Sequence, residues 1–80
     1  MPTVLRIGPY RFQFYASDAG EPPHVYVKRD DAEAKFWLEP QVRLEWQRGY
    51  SRRDLNVIER MTIEHRDFLL GEWRDYFRRR

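Results

Sequence analysis

The sequence predicts an α+β fold, an antiparallel β-meander of four or five strands with one long C-terminal helix packed on one face. Apolar and polar residues alternate with a period of two through the first half of the chain, which is typical of half-buried strands. Gly and Pro separate these runs. From residue 52 onward the apolar residues recur at helical spacing instead. We expect residues 1–80 to form one small domain, because 80 residues suffice for a single core only.

Short β-prone runs between turn signals define the predicted strands. They cover residues 3–7, 10–16, 24–28 and 33–39, and periodicity does not decide whether residues 42–46 form a fifth strand or a helical turn. Gly8–Pro9 is the first predicted turn, residues 17–20 and 29–31 form the next two, and Pro40 ends the fourth strand. Pro22–Pro23 imposes an extended entry into the third strand.

The predicted helix begins after Ser51, because Ser51 and Asp54 have the spacing of a capping box, although Asp is shorter than the usual Glu or Gln. Its apolar stripe consists of Leu55, Ile58, Met61, Phe68, Leu69, Trp73, Tyr76 and Phe77. Gly71 costs about 1 kcal/mol inside a helix, so it is the expected place for a kink or break. Arg78–Arg80 lie where cations favour the helix dipole.

The alternation gives the sheet an apolar face and a polar face. The helix is expected to cover the apolar face, which consists of Leu5, Ile7, Phe12, Phe14, Val25, Val27, Phe36 and Leu38. The opposite face is expected to stay open and to display Arg6, Arg11, Gln13, Tyr15, His24, Tyr26, Lys28, Lys35 and Trp37. Aromatic rings stack on bases while Arg and Lys hold phosphates, so such a face suits single-stranded RNA. The same residue types anchor protein interfaces, and they also cover small sheets that bind nothing.

From this face we predict a binding site formed by Arg11, Tyr15, His24, Tyr26, Lys28, Lys35 and Trp37. His24, Tyr26 and Lys35 are also catalytic candidates, because metal-independent RNA cleavage needs a base, an acid and a cation, with Arg11 as an alternative phosphate contact. Such a trio often occurs by chance, so the sequence favours a protein that is not an enzyme and leaves ribonuclease activity open.

No metal site and no cofactor are predicted. His65 falls on the apolar stripe of the helix and is expected at the edge of the core, whereas His24 points from the opposite face of the sheet. The chain has no cysteine, which excludes disulfides and thiolate metal sites.

The composition is basic but only mildly so, with a net charge of +2. The cations are mostly arginine, which permits contacts with nucleic acid or acidic proteins, or reflects a G- and C-rich genome. There is no secretory signal and no apolar run near ~18 residues, so we expect a cytoplasmic protein with no membrane partner.

Three segments, MPTVLRIGPYRFQFY, GEPPHVYVKRDDAEAKFWLEP and a C-terminal stretch from GYS to a late Trp, resemble a group of short, mostly bacterial proteins of unknown function. The hallmark of that family is an EPPHVHV stretch followed by AKFWL, and the resemblance covers nearly the whole chain. The hallmark falls on Glu21, Pro22, Pro23, His24, Val25, Val27, Lys35, Phe36, Trp37 and Leu38. Tyr26 stands where the family has its second histidine, so a paired-histidine site would be incomplete here.

The resemblance implies a protein that works with a partner, because members are often encoded beside a second small protein in a suspected toxin–antitoxin-like pair. We therefore expect a small interaction protein that docks such a partner, a second copy of itself, or RNA through the polar sheet face. The alternative is a metal-independent endoribonuclease toxin that uses His24 and Tyr26. DNA binding is not expected, because the long helix is committed to the core and no helix-turn-helix pair is present.

Overall fold

The structure, a computed structural model, describes residues 3–15 and 20–78. Five strands are followed by two helices: β1 (Thr3–Ile7), β2 (Tyr10–Gln13), β3 (His24–Arg29), β4 (Ala32–Trp37), β5 (Arg43–Arg48), α1 (Arg52–Glu64) and α2 (Arg66–Arg78). The strands form one antiparallel sheet in the order β1-β2-β3-β4-β5. This confirms the predicted meander and shows that the undecided segment is a fifth strand.

The predicted strand bounds hold to within a few residues. β2 ends at Gln13 rather than continuing to Ala16, which lies outside the described residues together with residues 17–19 of the predicted turn and with Arg79 and Arg80. Two-residue connections join β1 to β2 and β3 to β4, as expected for tight hairpins.

Gly49 is required where the chain leaves β5. Its φ is +86°, and a Cβ atom there would lie 3.1 Å from the Cα and Cβ atoms of Ala32. Both the left-handed backbone and the close approach disfavour a side chain at this position. The glycine therefore lets the chain turn directly beside the start of β4 toward α1.

The C-terminal half forms two helices, so the prediction of one long helix is wrong. Ser51 caps α1 as predicted, with its Oγ accepting a hydrogen bond of 3.0 Å from the backbone N–H three residues on. α1 ends at Glu64, His65 lies at the junction, and α2 begins at Arg66. Gly71, the expected break, lies inside α2 without interrupting it. Within the described residues, neither helix has the length and apolar character needed to cross a bilayer.

Two polar contacts lie beside the junction of the helices. The Thr62 hydroxyl donates to the Ile58 carbonyl at 2.7 Å, a bond that tends to bend helices. Arg66 Nε donates to the Leu38 carbonyl at 2.7 Å, which ties the start of α2 to the end of β4. The buried residues Ile58 and Leu69 stand about three helical turns apart, so the apolar spacing runs across the break without revealing it.

The helices cover the predicted apolar face of the sheet. Six of the predicted core residues are buried: Phe12, Phe14, Val25, Val27, Phe36 and Leu38. Leu5 and Ile7 pack against this core while partly exposed. The ring of Trp73 from α2 meets Phe14 edge-on, with 5.3 Å between centroids. Such aromatic pairs add about 0.5–1.5 kcal/mol beyond the area that they bury, which helps a small core.

A polar cluster joins the sheet to the first turn of α1. The Arg29 guanidinium bonds the Tyr10 hydroxyl and the Asp54 carboxylate, each at 3.1 Å. The Tyr50 hydroxyl donates to the carbonyl of Val27 at 2.9 Å. Burial raises the pKa of Tyr50 to about 12, against the smaller opposing effect of the Arg29 charge. These contacts fix the position of α1 against the hairpin end of the sheet.

Candidate functional site

The sheet face that the helices leave uncovered, here called the outer face, is organised in rows across the strands. Residues paired across antiparallel strands point to the same side. The first row crosses all five strands and consists of Arg6, Arg11, Lys28, Glu33 and Arg48. The second row, toward the other end of the strands, consists of Thr3, Gln13, Tyr26, Lys35 and Trp46. His24, Trp37 and Arg43 form a third.

The centre of the outer face is buried, which corrects the expectation of an open face. His24 is 0% exposed, Lys35 7% and Tyr26 8%. Two side chains outside the strands cover them: Tyr15, which follows β2, and Glu21, which precedes β3. The other predicted binding residues are only partly exposed: Arg11, Tyr15, Lys28 and Trp37.

The covered centre contains a charged pair under aromatic rings. Lys35 Nζ lies 2.7 Å from Glu21 Oε1 and 4.6 Å from the centroid of the Trp37 ring. The Tyr26 ring lies 5.8 Å from the same ammonium group. Trp37 Nε1 donates to Glu45 Oε1 at 2.8 Å. A cation with a close carboxylate and two aromatic neighbours is well satisfied, so Lys35 stabilises the fold at this position.

His24 is held from both sides of the sheet. Its Nδ1 lies 2.8 Å from the carbonyl oxygen of Pro22, so this nitrogen carries the proton and donates it. The Tyr26 and Trp37 rings each lie 5.5 Å from the imidazole, and Trp73 of α2 lies 4.8 Å from it. His24 was expected to point from the sheet face opposite the helix, yet a side chain of α2 contacts its ring. His24 is the first residue of β3, and there Trp73 reaches it.

The three catalytic candidates His24, Tyr26 and Lys35 do lie together, but under cover. The histidine proton is engaged with a backbone carbonyl, and the ammonium group is engaged with Glu21. A phosphate could reach them only if the Glu21 segment moved. Packing is thus the role that this geometry supports best for the trio.

Tyr15 closes the other side of the centre. Its ring meets Tyr26 edge-on at 4.4 Å, and its hydroxyl donates to Glu33 Oε2 at 2.9 Å. Gln13 Nε2 donates to the same hydroxyl at 3.3 Å, and Arg48 pairs with the other Glu33 oxygen at 3.3 Å. The one acid of the first row is therefore already occupied by protein groups.

The other members of the first row, Arg6, Arg11 and Lys28, are here called the cation row. Arg6 is paired directly with Arg11 in the sheet register, and Arg11 directly with Lys28. Within residues 3–15 and 20–78, none of the three side chains takes part in a salt bridge or hydrogen bond. Like charges directly opposite each other destabilise a sheet by roughly 0.2–1 kcal/mol per pair. The cation row is therefore an unfavourable arrangement that an anion would relieve.

Sequence reasoning missed Trp46 and Arg48. Trp46 lies opposite Lys35 and is 40% exposed, and Arg48 ends the first row. Assigning residues 43–48 to a strand would not have been enough, because simple alternation puts Trp46 and Arg48 on the same face as Leu44. The register shift between Lys35 and Phe36 moves them to the outer face while Leu44 pairs with Phe36. Trp46 is the most exposed of the aromatic side chains described on this face.

His65 is half-buried at the junction of the helices, as expected for a residue at the core edge. Among the residues described, no three His, Asp or Glu side chains are grouped so that they could hold a metal ion.

The chain was compared with known proteins. A family model described as a domain of unknown function, DUF4160, matches residues 10–74. No curated protein and no solved structure matches the chain. The matched region includes β2 to β5 and most of both helices, hence nearly all of the outer face.

Proposed function

Because the chain belongs to the DUF4160 family, whose function is unknown, we propose a function from its own geometry: a small interaction protein that binds single-stranded RNA along its outer face. The observation that carries this proposal is the cation row. Arg6, Arg11 and Lys28 stand next to one another on three adjacent strands, with no acid between them. Phosphates supply the negative charge that this row lacks.

The dimensions of the cation row support a linear anion rather than a point charge. Neighbouring strands lie about 4.8 Å apart, so the cation row from Arg6 to Lys28 spans about 10 Å. A single phosphate group would contact one or two of these cations. A stretch of nucleic acid backbone can contact all of them in turn.

Trp46 adds a reason to prefer a single strand. It lies two residues from Arg48 on β5, hence about 7 Å away along the strand, and its ring is 40% exposed. A base stacked on an exposed aromatic ring contributes about 1–3 kcal/mol, and only unpaired bases offer a free face. We propose that phosphates follow the cation row while a base stacks on Trp46.

The test is fluorescence anisotropy with a labelled oligouridylate of about ten nucleotides, within the usual site size of roughly 4–16 nucleotides. We expect Lys28→Gln to reduce the slope of log affinity against log salt by about 0.7. Trp46→Ala should weaken binding at least about fivefold. Arg60→Gln is the matched control, because it removes one positive charge from an exposed site on α1.

Three outcomes would overturn the proposal. The wild type would fail to bind the oligouridylate, or Arg60→Gln would weaken binding as much as Lys28→Gln. A marked preference for duplex RNA of the same length would remove the role given to Trp46.

The ribonuclease alternative has less support, because His24 is 0% exposed and donates its Nδ1 proton to the Pro22 carbonyl. It remains testable through Tyr26→Phe, which keeps the ring and removes the hydroxyl group. We expect the oligouridylate to stay intact with the wild type in the presence of a chelator. Fragments formed by the wild type and not by Tyr26→Phe would favour the nuclease instead.

We also propose that the chain works in the cytoplasm as one component of a toxin–antitoxin-like pair. The support is the resemblance of its EPPHVYV and AKFWL segments to proteins that are often encoded beside a second small protein. Co-purification of a tagged copy with the product of the neighbouring gene would test this pairing. Recovery of the tagged chain alone from cells that express both genes would contradict it.

A further inference from the structure

A groove lies between β5 and α1, away from the outer face. It has a volume of about 260 Å³ and is lined by Phe36, Leu44, Arg52, Leu55, Asn56 and Glu59. This set of residues is here called the edge groove. β5 is the last strand of the sheet, so this side of the groove opens at a sheet edge. Leu44 is 38% exposed, which leaves apolar surface uncovered there.

The size of the edge groove fits side chains rather than a small molecule. Sites for small molecules commonly have volumes of about 300–1,000 Å³, and this groove lies below that range. Its apolar lining comes from Phe36, Leu44 and Leu55, which suits an aliphatic side chain. Its polar lining residues, Arg52, Asn56 and Glu59, all belong to α1.

The charges around the groove indicate an acidic occupant. Arg52 and Arg53 are exposed in the first turn of α1, where positive charge is unfavourable to the helix dipole. In the part of the chain that is described, neither of these arginines forms a salt bridge. Glu59 is the single acid that lines the groove.

The edge of β5 does not favour a full additional strand. The register between β4 and β5 shifts between Lys35 and Phe36, which marks a bulge in the pairing. Bulges and charges at an edge hinder edge-to-edge pairing. An occupant would therefore be held by its side chains, and a second copy of this basic chain would bring further positive charge.

We propose that the edge groove binds an acidic segment of a second protein, which inserts one aliphatic side chain between Leu44 and Leu55 and places carboxylates on Arg52 and Arg53. This proposal does not depend on RNA binding, because the groove and the cation row share no residue. It gives the chain two separate binding surfaces, one for RNA and one for protein.

The probe is a synthetic peptide with one leucine flanked by Asp and Glu residues, and its matched control has serine in place of the leucine. Both are titrated into the isotope-labelled full chain, and amide NMR shifts are followed. We expect the leucine peptide to shift the signals of residues around Leu44 and Leu55. The serine peptide should bind at least about fivefold more weakly.

Variants of the chain separate this proposal from the proposed function. Arg52→Gln combined with Arg53→Gln should weaken peptide binding about fivefold, while Arg60→Gln leaves it unchanged. Arg11→Gln should impair RNA binding but not peptide binding.

Equal binding of the leucine and serine peptides would overturn the proposal, as would shifts located outside the groove. Concentration-dependent shifts of the same signals without any peptide would assign the groove to contact between copies of the chain instead.

Discussion

Replacing Arg11 by glutamine should stabilise the fold while weakening RNA binding. Arg11 lies between Arg6 and Lys28 in the sheet register, so its charge faces a like charge on either side. Each such pair is unfavourable by roughly 0.2–1 kcal/mol, and the substitution relieves both. We expect the free energy of unfolding to rise by about 0.5–1.5 kcal/mol.

The assay for stability is thermal unfolding followed by circular dichroism. For a domain of this size, 1 kcal/mol corresponds to a change of about 4–8 °C in Tm, so the expected gain is readily measured. The gain should shrink as salt is added, because ions screen the charges of these partly exposed side chains. The exposed Arg60→Gln variant, which carries the same change in net charge, should shift Tm little.

RNA binding by Arg11→Gln should change in the opposite direction. The loss of one phosphate contact reduces the salt slope by about 0.7 for a single strand and weakens affinity at low salt. A lower Tm with unchanged affinity would mean that Arg11 is a structural residue and would refute the reasoning. A higher Tm with unchanged RNA affinity and salt slope would support the repulsion between like charges but contradict RNA binding at Arg11.

Three further predictions concern stability. Gly49→Ala should lower the free energy of unfolding, measured in urea, by about 1–3 kcal/mol, because φ is +86° and the new Cβ would lie 3.1 Å from Ala32. An unchanged urea midpoint would show that this turn relaxes to accept the side chain. The pKa of Tyr50 is raised to about 12, so its contribution to stability is complete below pH ~10 and is lost as pH rises toward ~12. Tyr50→Phe should remove one tyrosine that ionises late in the ultraviolet absorbance titration, and it should reduce the loss of stability between these pH values. Identical absorbance titrations of the variant and the wild type would contradict the effect of burial. Glu21→Gln should destabilise by about 1 kcal/mol, because Lys35 is 7% exposed and loses its carboxylate at 2.7 Å, although solvent screens the half-exposed Glu21. Lys35→Met added to Glu21→Gln should restore thermal stability, and a further loss of Tm would show that the ammonium group has another role.

Much of the fold is visible in the sequence because its signals are local. Turn pairs such as Gly8–Pro9 and the period-two alternation determine where strands begin, end and reverse. The cap at Ser51 was predicted from four residues and is confirmed. The break at His65 was not predicted. Beside it, Arg66 bonds the Leu38 carbonyl just after β4, a contact between residues distant in the sequence that no local signal reveals.

The candidate site depends both on local sequence signals and on contacts between residues distant in the sequence. Alternation assigns Arg11, Lys28 and Lys35 to one face, because successive Cβ atoms of a strand point to opposite sides. It does not say which of them stand opposite each other, since that depends on the register between strands. The register separates Lys35, which pairs with Glu21 under cover, from Arg11 and Lys28 in the cation row.

The sequence by itself therefore determined four of the five strands, their meander, the apolar face and the basic and aromatic character of the other face. The tertiary structure decided what is accessible. His24 is expected on an open face from its alternation alone, yet Trp37 from β4 and Trp73 from α2 both contact its ring. Side-chain direction follows from a residue's own strand, whereas burial depends on neighbours from elsewhere in the chain, and only the packed structure brings those together.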